Sequence, residues 1–137
     1  MMAAMDVKDK KAVRDSLLQW LYAYLFTKNG KGEASKPRGE EALFGGMESR
    51  KAASFQTAVS LLAGRMPEIE EYIRRTFTGS FDELHLVEKA LVYLCVFEFT
   101  VLKTDKKLVI SEGLRLSDKY ASQNFDKKLH AYVDSLE

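Results

Sequence analysis

The apolar positions of this chain recur almost everywhere at helical spacing. Val13, Leu17, Trp20, Leu21 and Tyr24 follow one another at intervals of three and four, which predicts a helix over Val7–Lys28. Leu18 and Leu25 widen the stripe, so this helix is expected to meet more than one neighbour. Asn29-Gly30, residue types that tolerate a left-handed backbone, end it. From Asn29 to Gly46 the chain carries glycines at 30, 32, 39, 45 and 46 and a proline at 37, so a long loop is predicted there. Phe55, Ala58, Val59 and Leu62 then mark a second helix over Met47–Ala63, with Gly64 as its stop. Pro67 suits a first helical turn, and Glu68, Glu70 and Glu71 suit the positive end of a helix dipole. A third helix is therefore predicted from Pro67, with Ile69, Tyr72, Ile73 and Phe77 apolar and Gly79 closing it.

Ser80-Phe81-Asp82-Glu83 has the spacing of a capping box, and the segment from Leu84 to Leu102 follows. Its eight consecutive apolar residues, Ala90–Phe97, would suit a buried strand or a buried helix. Uninterrupted length favours the helix, because strands rarely pass about ten residues. This is the predicted central helix, packed on most sides. Thr104–Lys107 reads as a turn, Val109–Tyr120 as a further helix, Ala121–Asn124 as a break, and Phe125–Leu136 as the last helix, with Leu129, Tyr132, Val133 and Leu136 inward. No hairpin signal or internal repeat interrupts the pattern. The expectation is all-α, six or seven helices and no sheet.

Composition narrows the function classes. At 137 residues, 46% hydrophobic and 30% charged, the chain suits one globular domain over 1–137 and excludes a low-complexity or strongly disordered protein. A single cysteine excludes a disulfide framework and a Cys-rich metal site, and Cys95 inside the apolar run is expected to be a buried hydrophobe. The start has no basic region followed by an apolar stretch and a cleavage site, and the longest apolar run falls far short of the roughly 20 residues of a membrane span. A soluble cytoplasmic protein is expected.

Net charge is +1, but it is unevenly placed. Lys8–Arg38 holds eight basic residues against three acidic ones, and Gly39–Leu102 holds six against ten. A basic front end therefore precedes an acidic middle. On the first helix Lys10 and Arg14 share a face, and Lys11 and Asp15 share the next, close to Tyr22 and Phe26. Cations beside exposed aromatics fit single-stranded RNA, whose phosphates attract the first and whose bases stack on the second. The same residues also fit a solvated helix start whose aromatics belong to a second packing face. His85 and His130 have no ligand or base at motif spacing, so neither a metal nor a cofactor is expected. Glu98 is a lone carboxylate in an apolar helix, more suited to anchoring than to acid–base work. No nucleophile elbow or paired-carboxylate motif is present, so the expectation is a non-enzyme.

Three stretches taken together resemble a known family. Lys10-Lys11-Ala12-Val13-Arg14-Asp15 through Gln19 to Leu21-Tyr22 is similar to a basic opening, an Arg-Glu pair, a Gln and a Leu-Tyr. Phe81-Asp82-Glu83-Leu84, Val87-Glu88-Lys89-Ala90-Leu91 and Phe97-Glu98-Phe99 resemble a central VERAILRLALYEL helix. Val109-Ile110-Ser111-Glu112-Gly113 with Lys119-Tyr120 is similar to VINEAVELAKKF, continuing to Val133-Asp134-Ser135-Leu136. These are the marks of the bacterial NusB transcription antitermination family.

The resemblance implies about seven helices in two small bundles around a shared central region. It implies binding of boxA-like single-stranded RNA together with ribosomal protein S10 (NusE), within the RNA polymerase antitermination complex. Both a monomer and a homodimer are compatible with it. The family's RNA-linked basic start falls on Lys10, Lys11 and Arg14, and charge adds Lys8 and the loop residues Lys36 and Arg38. Glu88 and Glu98 fall on two characteristic carboxylates of architectural character. The alternative is a protein-interaction adaptor on the same fold with little or no RNA binding. Departures include lysines for arginines at the opening, point charges in place of bidentate forks, and Lys127-Lys128-Leu129-His130-Ala131 in place of Lys-Phe-Val-Asn-Gly.

Overall fold

In the computed structural model, residues 7–27 and 49–137 are described, without the side chains of 7–9 and 49–51. Among them are five α-helices: α1 (Val7–Phe26), α2 (Ser49–Thr76), α3 (Leu86–Thr100), α4 (Lys106–Tyr120) and α5 (Phe125–Ser135). A single 3₁₀ turn spans Phe81–Glu83. The all-α expectation holds, while the predicted loop over 29–46 lies outside the described residues.

The second and third predicted helices are one. Gly64 was expected to stop a helix and Pro67 to start another, yet α2 runs through both. The buried residues explain why: Phe55, Ala58, Val59, Leu62, Met66, Ile69 and Ile73 form one unbroken stripe at helical spacing. Proline within a helix costs about 3 kcal/mol and glycine about 1. Each large apolar side chain kept in register recovers about 1.5–3 kcal/mol, and four of these follow from Leu62 onward. Gly64 and Pro67 both face solvent, where carbonyls freed by the missing proline N–H can tilt toward water. The helix stops at Thr76, and Gly79 turns the chain at φ 96°.

The capping box lies five residues beyond its predicted place. Ser80 makes no side-chain cap, and the Ser80–Glu83 contact is a backbone bond only. Instead the backbone N–H of His85 donates to Glu88 Oε1 at 3.1 Å, so α3 starts at Leu86. The same carboxylate accepts the Ser122 N–H at 3.1 Å and the Ser122 hydroxyl. Glu88 is 3% exposed and so ties the start of α3 to the α4–α5 connection. Burial alone would raise its pKa, but the Ser122 hydroxyl, the His85 and Ser122 amides and the nearby His85 charge together hold it below the usual carboxylate value.

The chain divides into two compact units, Met1–Arg65 and Met66–Glu137, with the division inside α2. In the second unit, α3 contributes a fully buried run, Ala90–Phe97. α4 and α5 form an antiparallel pair across a four-residue connection, with Asn124 in a left-handed conformation at φ 75°. At the open end of this pair Lys106 Nζ donates to the carbonyls of Asp134 (3.0 Å) and Leu136 (2.6 Å) and sits 5.7 Å from the Phe99 ring centre. A cation from the first turn of α4 thereby satisfies the carbonyl end of α5.

Thr76, the last residue of α2, donates its only hydroxyl proton to Tyr72 O. The Tyr132 O–H must therefore be the donor in the 2.7 Å contact between Thr76 and Tyr132. Burial pushes the Tyr132 phenol up to about 12. Glu98 accepts from Thr104 through its backbone carbonyl at 2.9 Å, with the Thr104 hydroxyl 3.5 Å from its carboxylate. The anchoring role expected of it has a local partner.

Gly113 permits a close approach. A Cβ there would lie 3.0 Å from Cys95 Sγ on α3 and 3.3 Å from Leu129 Cδ2 on α5. Cys95 is buried, as its setting in the apolar run predicted.

Two measurements check this account. Glu88→Gln should lower stability to urea unfolding by about 1–3 kcal/mol at pH 7, since three donors lose their anion. The folded-state pKa of Glu88 is depressed, so its contribution is complete above about pH 4.5 and fades as pH falls through the folded value. The stability difference between wild type and variant should shrink over that acid range. A difference independent of pH would remove the carboxylate from the account. Separately, Gly113→Ala should cost about 1–2 kcal/mol through overpacking despite better helix propensity. In a Cys95→Ala background the penalty should shrink by at least half, and full additivity would show that the two positions do not press on each other.

Candidate nucleic-acid interface

The expected RNA-facing residues start from α1, and helix geometry sorts them. Val13, Leu17, Leu18, Leu21 and Leu25 are at most 5% exposed. Arg14 sits in that register, with Leu17, Leu18, Leu21 and Leu25 at three, four, seven and eleven residues beyond it. It is 4% exposed. Of the expected RNA-linked cations Lys10, Lys11 and Arg14, Arg14 is thus the buried one, and it has an interaction partner. Lys10 and Lys11 are half-buried, and Lys11 and Asp15 also have interaction partners. The backbone of Lys8 belongs to the first turn of α1. Its side chain, and Lys36 and Arg38 altogether, lie outside the described residues.

The opposite face of α1 is the one that stays open. Gln19, Tyr22 and Phe26 are exposed, the rings at 43% and 46%, and half-buried Lys11 and Asp15 belong to the same row. The two other aromatics of the helix turn inward: Trp20 is 4% exposed and stacks on Tyr24, with ring centres 5.5 Å apart and planes 15° from parallel. Four aromatics on one helix thus serve two purposes, one pair as packing and one pair as surface.

Elsewhere, a polar cavity of about 240 Å³ sits at the α4–α5 corner, with Ser117, Asp118, Asn124 and Lys127 among its walls. It holds neither a histidine nor a cysteine. Among the described residues no three His, Cys, Asp or Glu side chains gather as a metal site. None of the described helices is long and apolar enough to cross a membrane.

The model of the NusB family matches residues 11–129. The chain belongs to the NusB family. It is 23% identical over 133 residues to the transcription antitermination protein NusB of Shewanella frigidimarina, covering 96% of this chain and 97% of that protein. The protein of the same name from Shewanella denitrificans is also 23% identical over 133 residues, with 96% and 98% covered. The match takes in α1 from Lys11, the central helix with Glu88 and Glu98, and α5 as far as Leu129.

Within this NusB-family chain, two residues escaped the sequence reading. Ser122 completes the Glu88 staple, and nothing local marks it, because the contact spans 34 positions. Gln19 belongs to the exposed aromatic row, which the helical wheel alone would have shown. The wheel also carried the signal for Arg14, whose register is apolar.

Two substitutions on α1 should separate these faces. Arg14→Ala should lower stability by about 1–3 kcal/mol, through lost packing of a buried side chain and the partners it leaves. Lys11→Ala should cost less than about 1 kcal/mol, as expected for a partly solvated side chain. Urea unfolding of both variants decides this, and equal costs would contradict the two-face description.

Proposed function

We propose that this chain is a non-enzymatic transcription antitermination factor. In this reading it binds boxA-like single-stranded RNA together with ribosomal protein S10 (NusE), joins the RNA polymerase antitermination complex and promotes processive transcription of ribosomal RNA operons in the cytoplasm. The observation that carries the reading is family membership over residues 11–129, supported by relatives of nearly equal length named for antitermination. The open face of α1 is consistent with it, since it sets Lys11 beside exposed rings.

In this reading residues 1–137 act as one RNA-binding domain built as two small bundles of about seven helices around a shared central region. Lys8, Lys10 and Lys11 supply phosphate contacts, helped by Lys36 and Arg38, while Arg14 acts from inside α1 by holding the first turns in place. Phosphate contacts position the strand and do not read it, and a few lysines give only salt-sensitive affinity. S10 therefore extends the surface. A homodimer would serve as a stored form that covers it.

A second reading, a protein-interaction adaptor with little RNA binding, is favoured by one observation. Arg14, which would give the strongest phosphate fork, is withdrawn from the surface. Fluorescence anisotropy with a boxA-like RNA and a scrambled control, with and without S10 and at two salt concentrations, separates the two. The first reading expects sequence-dependent binding that needs S10. Lys10→Ala/Lys11→Ala should weaken it at least tenfold and flatten the slope of log affinity on log salt by about 1.4, two single-strand phosphates' worth. A stable S10 complex that treats both RNAs alike establishes the adaptor.

A further inference from the structure

We propose that α2 contains a hinge at Gly64–Pro67, where the chain passes from one compact unit to the other. The angle between the halves of α2 changes there while the helix stays continuous.

The chain divides into its two units between Arg65 and Met66, inside α2 and between the glycine and the proline. Pro67 has no N–H to offer the carbonyl of Ala63, and its ring crowds that same carbonyl. Gly64 follows directly. A Cβ at Gly64 would meet nothing within 4 Å, and its φ is not positive. Neither a shortage of space nor a left-handed backbone therefore calls for glycine here. What Gly64 supplies is a backbone with few steric limits on bending. Burial marks the same place independently. From Ala63 to Glu68 only Met66 is buried, at 3% exposure, while Ala63, Gly64, Arg65, Pro67 and Glu68 are exposed. The flanking turns are held more densely, by Ala58, Val59 and Leu62 before and by Ile69 and Ile73 after.

The bend has a direction. Hydrogen bonds on the solvent side of a helix lengthen as their carbonyls tilt toward water, and the bond that Pro67 removes falls in an exposed stretch. Met66, on the buried side, is the pivot. Its unbranched side chain, with three rotatable bonds, repacks over a range of angles that a branched side chain could not follow. Leu62 and Ile69, buried to either side of it, hold the flanking turns, so bending gathers between them. A partner that touches both units selects one angle from this range through its differential affinity for it.

The test uses the full chain with pairs of nitroxide labels on introduced cysteines, which is practical because Cys95 is buried. Gln56→Cys/Ser111→Cys spans the joint, and Thr78→Cys/Ser111→Cys lies within the second unit; all three positions are exposed. Distance distributions are measured by double electron–electron resonance. Gln56 is about 15 Å along the helix from Met66, so a bend of about 20° moves it by about 5 Å. The spanning pair should therefore give a distribution about 5 Å broader than the within-unit pair. Adding Gly64→Ala/Pro67→Ala should narrow it to the within-unit width. Both substitutions place a better helix former at an exposed position, so the variant should fold and melt at a higher temperature, checked by circular dichroism. A spanning distribution as narrow as the within-unit one overturns the hinge. A broad distribution that the double substitution leaves unchanged overturns it too, because the motion would then arise elsewhere.

Discussion

A buried carboxylate must be met by donors, and the arrangement of helices within the second unit follows from how Glu88 meets that demand. At 3% exposure it accepts from the amide of His85, the cap of its own helix, and from both donors of Ser122. One contact is local and ends the ambiguity about where α3 begins. The other spans 34 residues and brings the α4–α5 connection onto the head of the central helix. Charge-assisted bonds of this kind are roughly twice as strong as neutral ones, and a half-satisfied version would be worse than an apolar core. The arrangement therefore favours one geometry of connection and helix start over its neighbours.

Around that staple the packing is set by size. Gly113 lets α4 approach Cys95 and Leu129 to distances that a Cβ would make tight. Lys106 secures the far end of the same helix pair by satisfying the carbonyls at the close of α5. Thr76 and Tyr132 join the end of α2 to α5 through a hydrogen bond whose direction is set by the single proton of Thr76. Polar groups thus sit at the ends of helices, where backbone groups lack partners, and the eight-residue apolar run of α3 fills the space between.

The first helix shows how one amphipathic period can divide chemistry. Its buried arc takes Arg14 along with the leucines, whereas its open row keeps Lys11, Gln19, Tyr22 and Phe26. A basic opening is therefore not a uniform basic surface. Lys11 and Arg14, three residues apart, lie only about 60° apart on the wheel, yet Arg14 falls within the buried arc and Lys11 at its edge. Family membership adds a function to this geometry without assigning each cation to it.

The sequence alone determined the all-α class, the buried run of the central helix and the inward residues of α5, because each depends on spacing within one element. The wheel also sets Tyr22 and Phe26 apart from the apolar arc and Arg14 within it, but the spacing of one helix left open whether those rings face solvent or a second neighbour. The continuity of α2 was present as an unbroken stripe, but Gly64 and Pro67 outweighed it in a local reading. Only tertiary structure decided that contest, since the gain from burying Met66, Ile69 and Ile73 in register is collected from neighbours distant in sequence. Ser122 as the partner of Glu88, and Gly113 as the point of close approach, were decided there too. Neither is marked by its own surroundings in the chain, and each acquires its role from atoms that folding brings to it.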